Sequence, residues 1–184
     1  ELSGSIPATL GDLLRLQDLS LAQNQLTGSI PASLGNLPAL RSLSLATNQL
    51  SGTIPNALGQ LAELTTLNLG TNQLTGEIPP DLAKLSKLDS LWLYQNQLTG
   101  TIPLDFTALT ALTTIQIHGN RLTGSLPPVI GKLQNIERIG LSHNEFTGTI
   151  PDYFGDLPKL TNLHLGWNQL SGEIPSSLAG ATSL

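Results

Sequence analysis

The chain has 184 residues, of which 39% are hydrophobic and 11% are charged, and its formal net charge is −5. This composition is too apolar and too poorly charged for a disordered segment. The negative charge argues against binding to nucleic acid or anionic lipid, and no stretch of about 20 apolar residues is present to span a membrane. The chain has no cysteine, which excludes disulfides, thiol nucleophiles and thiolate metal sites.

The sequence repeats itself with a period of 24 residues. Each unit reads LxxLxxLxLxxNxLTGxIPxxLG, and no insertion breaks the register. The asparagine of the unit occurs at seven positions, which we call the asparagine ladder: Asn24, Asn48, Asn72, Asn96, Asn120, Asn144 and Asn168. A fixed period of this kind is the signature of a solenoid, in which each repeat forms one coil and stacks on the next.

The elements of one unit follow from its residues, taken in chain order. The LxL pair, for example Leu67 and Leu69, predicts a strand, because a period of two places both leucines on one face. The ladder asparagine lies where the chain must turn, and its short amide can bond the backbone of its own coil and of the neighbouring coil. Gly52 permits a bend, and the TGxIP segment is predicted to form a second short strand because the residue before Pro55 is held extended. Pro55 is predicted to lie in the first turn of a short helical segment that Gly59 closes.

Stacked coils are predicted to share one leucine core, since a single coil cannot bury its leucines alone. We therefore predict that residues 1–184 form a single domain, an α/β repeat solenoid. A parallel sheet is expected along the concave side, with strands about 4.8 Å apart. A second, narrow sheet should flank it, and short helical turns should line the convex side.

The repeat LxxLxxLxLxxNxLTGxIPxxLG resembles the plant-type extracellular leucine-rich repeat over essentially the whole chain, and the TGxIP portion is typical of that subclass. Proteins with this repeat include ectodomains of receptor-like kinases and polygalacturonase-inhibiting proteins. The resemblance implies a right-handed superhelix that recognises peptides, small hormones, co-receptors or foreign enzymes, at an extracellular or cell-surface location. The chain differs from most of these proteins in having no cysteine-paired caps.

The residues around the leucines of each LxL strand are predicted to form the concave surface. They are small or polar in the first three units, but the next four units hold both tryptophans and all three histidines of the chain. Aromatic and arginine side chains are the usual anchors of binding surfaces. The alternative is that strands simply favour aromatic residues. We predict a binding site for a protein or peptide, which we call the concave site, at Trp92, Tyr94, Gln116, His118, Arg138, His143, His164 and Trp167.

The histidines allow two further hypotheses. His118 and His143 are predicted on adjacent coils, one strand position apart, so that their rings could converge on a metal ion, although solvated surface histidines are the ordinary alternative. Histidine also titrates near neutral pH, which would make a partner contact pH-dependent. We predict neither a metal nor another cofactor. The carboxylates are scattered, and no nucleophile, base and acid share a predicted pocket, so we predict that the protein is not an enzyme.

A second regular face is predicted to carry hydroxyl groups. The serine or threonine directly before the glycine of each repeat forms an uninterrupted series: Ser3, Thr27, Ser51, Thr75, Thr99, Thr123, Thr147 and Ser171. A parallel series two residues later is interrupted by Glu77 and Glu173. A flat array of hydroxyls could order water, so ice binding is an alternative function, although threonine also favours strands. A third possibility is a structural spacer or an engineered repeat scaffold.

The ends of the chain lie within repeats. The first residues, Glu1 to Pro7, are a second-strand segment, and Leu184 falls just before the next LxL strand would begin. An uncapped solenoid exposes core leucines and strand edges. We expect the chain to belong to a longer array, or its ends to pack on something, with end-to-end self-association as one possibility.

Overall fold

The computed structural model describes residues 1–181 and 184, which form a regular succession of short strands and 3-10 helical turns. The strands, in chain order, are β1 (Ser3–Ser5), β2 (Asp18–Ser20), β3 (Gln25–Ser29), β4 (Ser42–Ser44), β5 (Gln49–Thr53), β6 (Thr66–Asn68), β7 (Gln73–Glu77), β8 (Ser90–Trp92), β9 (Gln97–Thr99), β10 (Thr114–Gln116), β11 (Arg138–Gly140), β12 (Thr147–Thr149), β13 (Asn162–His164) and β14 (Gln169–Ser171). The turns span Ala8–Asp12, Ala32–Asn36, Asn56–Gln60, Pro80–Lys84, Leu104–Ala108, Pro128–Lys132, Asp152–Asp156 and Ser176–Gly180.

The LxL segments form a seven-stranded parallel sheet in the order β2, β4, β6, β8, β10, β11, β13. Each residue pairs with the residue one full period later, as Leu43 pairs with Leu67 and Leu67 with Leu91. These leucines are fully buried beneath the sheet. The predicted parallel sheet is therefore confirmed, and its outer surface carries the residues that flank the leucines.

The second sheet is also parallel, but its strands are offset. It consists of a five-stranded part, β1, β3, β5, β7 and β9, and a two-stranded part, β12 and β14. Each residue pairs with the residue 22 positions later, as Ser29 pairs with Ser51 and Thr53 with Thr75. The strands also lie earlier in the chain than predicted. β5 begins at Gln49 and ends at Thr53, before the Ile-Pro pair that the prediction included. Equivalent positions of neighbouring repeats are thus lateral neighbours in the first sheet but not in the second.

The convex side consists of the 3-10 turns, and two details differ from the sequence-based prediction. Pro55 precedes the turn Asn56–Gln60 in an extended conformation, with φ −66° and ψ 131°, and its carbonyl accepts a hydrogen bond from the Leu58 N–H at 3.0 Å. Gly59 lies inside the turn and does not close it. A Cβ on Gly59 would lie 2.3 Å from the Asp81 carbonyl oxygen, so glycine is required here because the next coil approaches closely.

A continuous core of leucine, isoleucine and phenylalanine runs through the coils. The isoleucine before each proline illustrates how one coil covers the next. Ile54 is 2% exposed and Ile78 is 1% exposed, whereas Ile174 in the last repeat is 77% exposed. Leu13 in the first repeat is likewise 48% exposed. Burial of this core therefore depends on a neighbouring coil. End-to-end self-association through such apolar edges stays a prediction.

Candidate ligand-binding surface

The ladder asparagines hold the coils together directly beside the concave sheet. The Asn72 side-chain oxygen accepts a hydrogen bond from the Leu50 N–H at 3.0 Å. Its amide nitrogen donates to the Leu45 carbonyl at 3.0 Å and to the Leu69 carbonyl at 3.1 Å. One side chain thus satisfies backbone groups of its own coil and of the preceding coil. This arrangement recurs along the ladder, and it fixes the bend at which the concave strands end.

The residue before each ladder asparagine has a left-handed backbone. Its φ is positive in every coil, as in Gln95 (51°), Gly119 (68°), His143 (54°) and Trp167 (57°). Such values are uncommon for residues other than glycine, and here they occur whatever the side chain is. The bend therefore imposes this conformation, and it sets the direction in which the rings of His143 and Trp167 leave the backbone.

The structure places the eight residues of the concave site in two settings. Half of them lie on strands of the concave sheet: Trp92, Gln116, Arg138 and His164. The other half follow the strands, before the ladder asparagines: Tyr94, His118, His143 and Trp167. Since these strands are hydrogen-bonded neighbours, the residues share one face across four adjacent coils.

The rings that follow the strands form two stacked pairs, each joining adjacent coils. The Tyr94 and His118 ring centroids are 5.1 Å apart with an interplanar angle of 6°. The His143 and Trp167 ring centroids are 5.3 Å apart with an angle of 10°. These distances lie within the range of favourable aromatic contacts. Tyr94 and His118 are half-buried, whereas His143 is exposed and Trp167 is 80% exposed.

Three glycines shape this surface, and the sequence analysis did not assign them a role. The Tyr94 ring occupies the space that a side chain at Gly70 would fill, since a Cβ there would lie 2.6 Å from the ring. The Gln116 carboxamide does the same at Gly140, 2.0 Å from the Cβ position. At Gly166 no atom lies within 4 Å. Glycine within or beside a strand is a signal of such close approach, and it was available in the sequence.

Histidine is the main titratable group of the concave site. Burial lowers the pKa of His118 from its ordinary 6.5, and the nearby His143 and His164 lower it further because like charges repel. His118 and His143 belong to different stacked pairs. Within residues 1–181 and 184, no three histidine, aspartate or glutamate side chains are grouped so that they could hold a metal ion. In the same part of the chain, no helix has the length and hydropathy needed to cross a membrane.

The hydroxyl face lies on the second sheet, and the offset register changes its geometry. The hydroxyl-bearing residue after the glycine of one coil pairs laterally with the hydroxyl-bearing residue before the glycine of the next coil, as in Ser29–Ser51 and Thr53–Thr75. The predicted straight series of equivalent positions is therefore wrong, because strands offset by two residues bring non-equivalent positions together. Glu77 pairs with Thr99 and interrupts the array. Most of these side chains are exposed.

Comparison with known proteins decides the family. A family model described as "Leucine rich repeat" matches residues 62–122 and 110–170, and a second, "Leucine Rich repeats (2 copies)", matches residues 14–58. The ectodomain of the plant membrane receptor kinase GASSHO1/SCHENGEN3 from Arabidopsis thaliana, solved in complex with CASPARIAN STRIP INTEGRITY FACTOR 2, is 42% identical with a TM-score of 0.97. The chain belongs to the plant-type extracellular leucine-rich-repeat family.

Other solved structures are also similar. The Arabidopsis receptor kinase HAESA, in complex with the peptide hormone IDA and the co-receptor SERK1, is 41% identical with a TM-score of 0.93 over 97% of this chain. A plant ice-binding protein is 33% identical with a TM-score of 0.78; the match covers 97% of this chain and 66% of that protein. The GASSHO1/SCHENGEN3 match covers 99% of this chain but 22% of that ectodomain, and the HAESA match covers 30% of HAESA. A comparison with curated protein sequences gives no match.

Proposed function

We propose that this leucine-rich-repeat chain is an extracellular recognition module that binds a protein or peptide ligand on its concave face. The observation that carries the proposal is the concentration of aromatic side chains there, with four of them ordered into two stacked pairs. The surrounding concave surface consists of small and polar residues. Four strands span roughly 15 Å, a length suited to an extended peptide or a protein loop. The neighbouring receptor structures in complex with a peptide hormone support the same assignment.

The energetics of the rings favour this role. Burying a large apolar side chain at an interface contributes about 1.5–3 kcal/mol. Trp167 is 80% exposed, so most of its surface is open to a ligand. The stacked rings are already ordered by their neighbours, which lowers the entropy cost of fixing them when a ligand binds. Tryptophan and tyrosine in this setting are typical of the few residues that dominate binding energy.

A binding selection tests the proposal. The purified chain is immobilised and used to select from a displayed random peptide library, and the dissociation constants of selected peptides are measured with variants. Trp92→Ala and Trp167→Ala are each expected to weaken binding by about tenfold to a hundredfold, as for anchor residues worth roughly 2 kcal/mol. Ser44→Ala is the matched control, because Ser44 occupies the position of Trp92 two coils earlier. Equal affinities for all three variants would contradict a concave binding site.

Ice binding is a second candidate, favoured by the exposed hydroxyl pairs of the second sheet and by the likeness to a plant ice-binding protein. Thermal hysteresis and inhibition of ice recrystallisation are measured on the purified chain and on Thr53→Lys and Thr75→Lys, which disrupt one lateral pair. The ice hypothesis expects activity that both substitutions abolish and that Trp92→Ala leaves intact. Absence of both activities in the unmodified chain would remove this candidate without affecting the first.

A further inference from the structure

The concave site contains a short stretch of surface without large side chains. No atom lies within 4 Å of the position that a Cβ at Gly166 would occupy. Ser142 is the equivalent residue of the preceding coil. We call these two residues the floor of the site. The main chain of a ligand can approach a protein closely where the protein has no bulky side chains. The floor is therefore the part of the concave site where a peptide could lie nearest to the sheet.

Larger side chains surround the floor on three sides. The His143–Trp167 pair follows it directly in sequence, on the side of the asparagine ladder. Arg138 and His164 lie on β11 and β13, on the opposite side. His118 stands one period before Ser142, at one end of the floor, with its other ring face against Tyr94. Among these neighbours Arg138 carries a positive charge, and the three histidines can acquire one.

The charge on this surface differs from that of the rest of the chain. The chain has 13 acidic and 8 basic residues. Yet the concave positions of the last four coils hold Arg138 and the three histidines, and no aspartate or glutamate. These positions are 90, 92, 94, 95, 114, 116, 118, 119, 138, 140, 142, 143, 162, 164, 166 and 167. The net negative charge of the protein therefore lies outside this surface.

Charged groups along the margins do not reverse this balance. On the margin before the strands, Glu137 precedes Arg138, and Asp89 accepts hydrogen bonds from the Ser90 hydroxyl at 2.8 Å and the Thr113 hydroxyl at 2.9 Å. On the margin beyond the asparagine ladder, Arg121 and Glu145 carry opposite charges. With neutral histidines the surface and its margins are nearly neutral, and with protonated histidines they are positive.

We propose that the concave site recognises an acidic segment of an extended peptide, with an aspartate or glutamate carboxylate lying over the Ser142–Gly166 floor between Arg138 and the histidines. This inference rests on the proposed recognition function and names its ligand class. A carboxylate matches the guanidinium of Arg138 in geometry as well as charge. The stacked rings hold the apolar residues beside the acidic one, and the floor admits the peptide main chain.

A pH dependence of known sign follows. In the free protein, burial and the neighbouring histidines hold the pKa of His118 below its ordinary 6.5. A carboxylate bound beside His118 favours the protonated form of this side chain and raises its pKa. The complex then takes up protons that the free protein does not hold, so binding strengthens as the pH falls through this range. The ligand carboxylate stays ionised down to about pH 5, since its own pKa is near 4.

The experiment uses the full chain and a displayed random peptide library, selected at about pH 5.5, which is below the ordinary histidine pKa of about 6.5. Enriched peptides are synthesised with amidated C-termini, so that their negative charge comes from side chains. Each is paired with a peptide in which asparagine or glutamine replaces the acidic residues. We expect enrichment of aspartate and glutamate, and affinity at least tenfold higher at about pH 5.5 than at about pH 7.5. Arg138→Gln should weaken binding at both pH values, and joint replacement of His118, His143 and His164 by glutamine should abolish the pH dependence.

The outcomes separate this inference from the proposed function. Peptides that lose affinity with Trp92→Ala but bind equally well after their acidic residues are neutralised would overturn the acidic ligand and retain the concave site. Peptides whose affinity is unchanged by both Trp92→Ala and Trp167→Ala, or a selection that enriches no sequence, would overturn both. Circular dichroism of each variant checks that the coil structure is intact, and Ser44→Gln is the control for introducing glutamine into the concave sheet.

Discussion

The asparagine ladder leads to a quantitative prediction about stability. The substitution is Asn96→Ala, because Asn96 is 9% exposed and lies in the middle of the ladder. Its side-chain oxygen accepts from the Leu74 N–H at 3.0 Å, and its amide donates to the carbonyls of Leu69 and Leu93, each at 3.1 Å. Alanine leaves the Leu74 N–H without this acceptor. The Leu69 and Leu93 carbonyls still accept from the Asn72 and Asn120 amides, each at 3.1 Å.

The magnitude follows from those groups. One buried and unsatisfied hydrogen-bonding group costs about 1–3 kcal/mol. The Leu74 N–H loses its only side-chain acceptor, while the carbonyls each have a second lone pair and lose less. We expect Asn96→Ala to lower the free energy of unfolding by about 3 kcal/mol. Asn24→Ala is the matched control, since Asn24 is half-buried and bonds the exposed N–H of Leu2 at 2.8 Å, so that water can replace the lost partner.

Urea unfolding followed by circular dichroism measures both variants, and hydrogen exchange at the Leu74 amide reports the local effect. Repeat proteins do not always unfold in one step, and a urea curve then gives no single free energy of unfolding. The exchange rate at Leu74 reports the local stability even in that case. Equal destabilisation by Asn96→Ala and Asn24→Ala, or an unchanged exchange rate at Leu74, would refute the reasoning that burial of the bonded backbone sets the cost.

Three further predictions concern single positions. Gly59→Ala places a Cβ 2.3 Å from the Asp81 carbonyl oxygen and should cost about 1–3 kcal/mol, whereas Gly166→Ala meets no atom and should leave the melting temperature unchanged. Thr47→Asn should stabilise the chain by about 0.5–1 kcal/mol, because Thr47 has a φ of 57° and asparagine tolerates the left-handed region better than a β-branched residue does; a lower melting temperature would contradict this. The pKa of His118 is lower in the folded than in the unfolded chain, so stability should be complete above about pH 6.5 and fall as the pH drops below it. His118→Gln should flatten that part of the stability profile, and an unchanged profile would show that His118 does not cause it.

Much of the fold could be predicted from the sequence because each repeat carries its own local signals. The LxL pairs specify strands through their period of two, and the ladder asparagine has the short amide that a bend beside a strand requires. The period itself predicts that each coil stacks on the next. The residues of the concave surface could also be predicted, since the positions that flank the leucines of a strand must point away from the core. These conclusions need only local geometry and a constant repeat length.

Other features depend on how neighbouring coils sit against each other, and only the tertiary structure decided them. The register of the second sheet is offset by two residues relative to the repeat, so Thr53 lies beside Thr75 and the predicted straight hydroxyl series does not form. Glycine is required at position 59 because the backbone of the next coil approaches closely there. No signal within the repeat that contains Gly59 reveals this approach. The repeat places Tyr94 and His118, and likewise His143 and Trp167, one period apart, but only the structure shows that the rings stack, with centroids 5.1 and 5.3 Å apart. A repeat sequence specifies what each coil contains, but the tilt and spacing between coils come from packing over the whole stack.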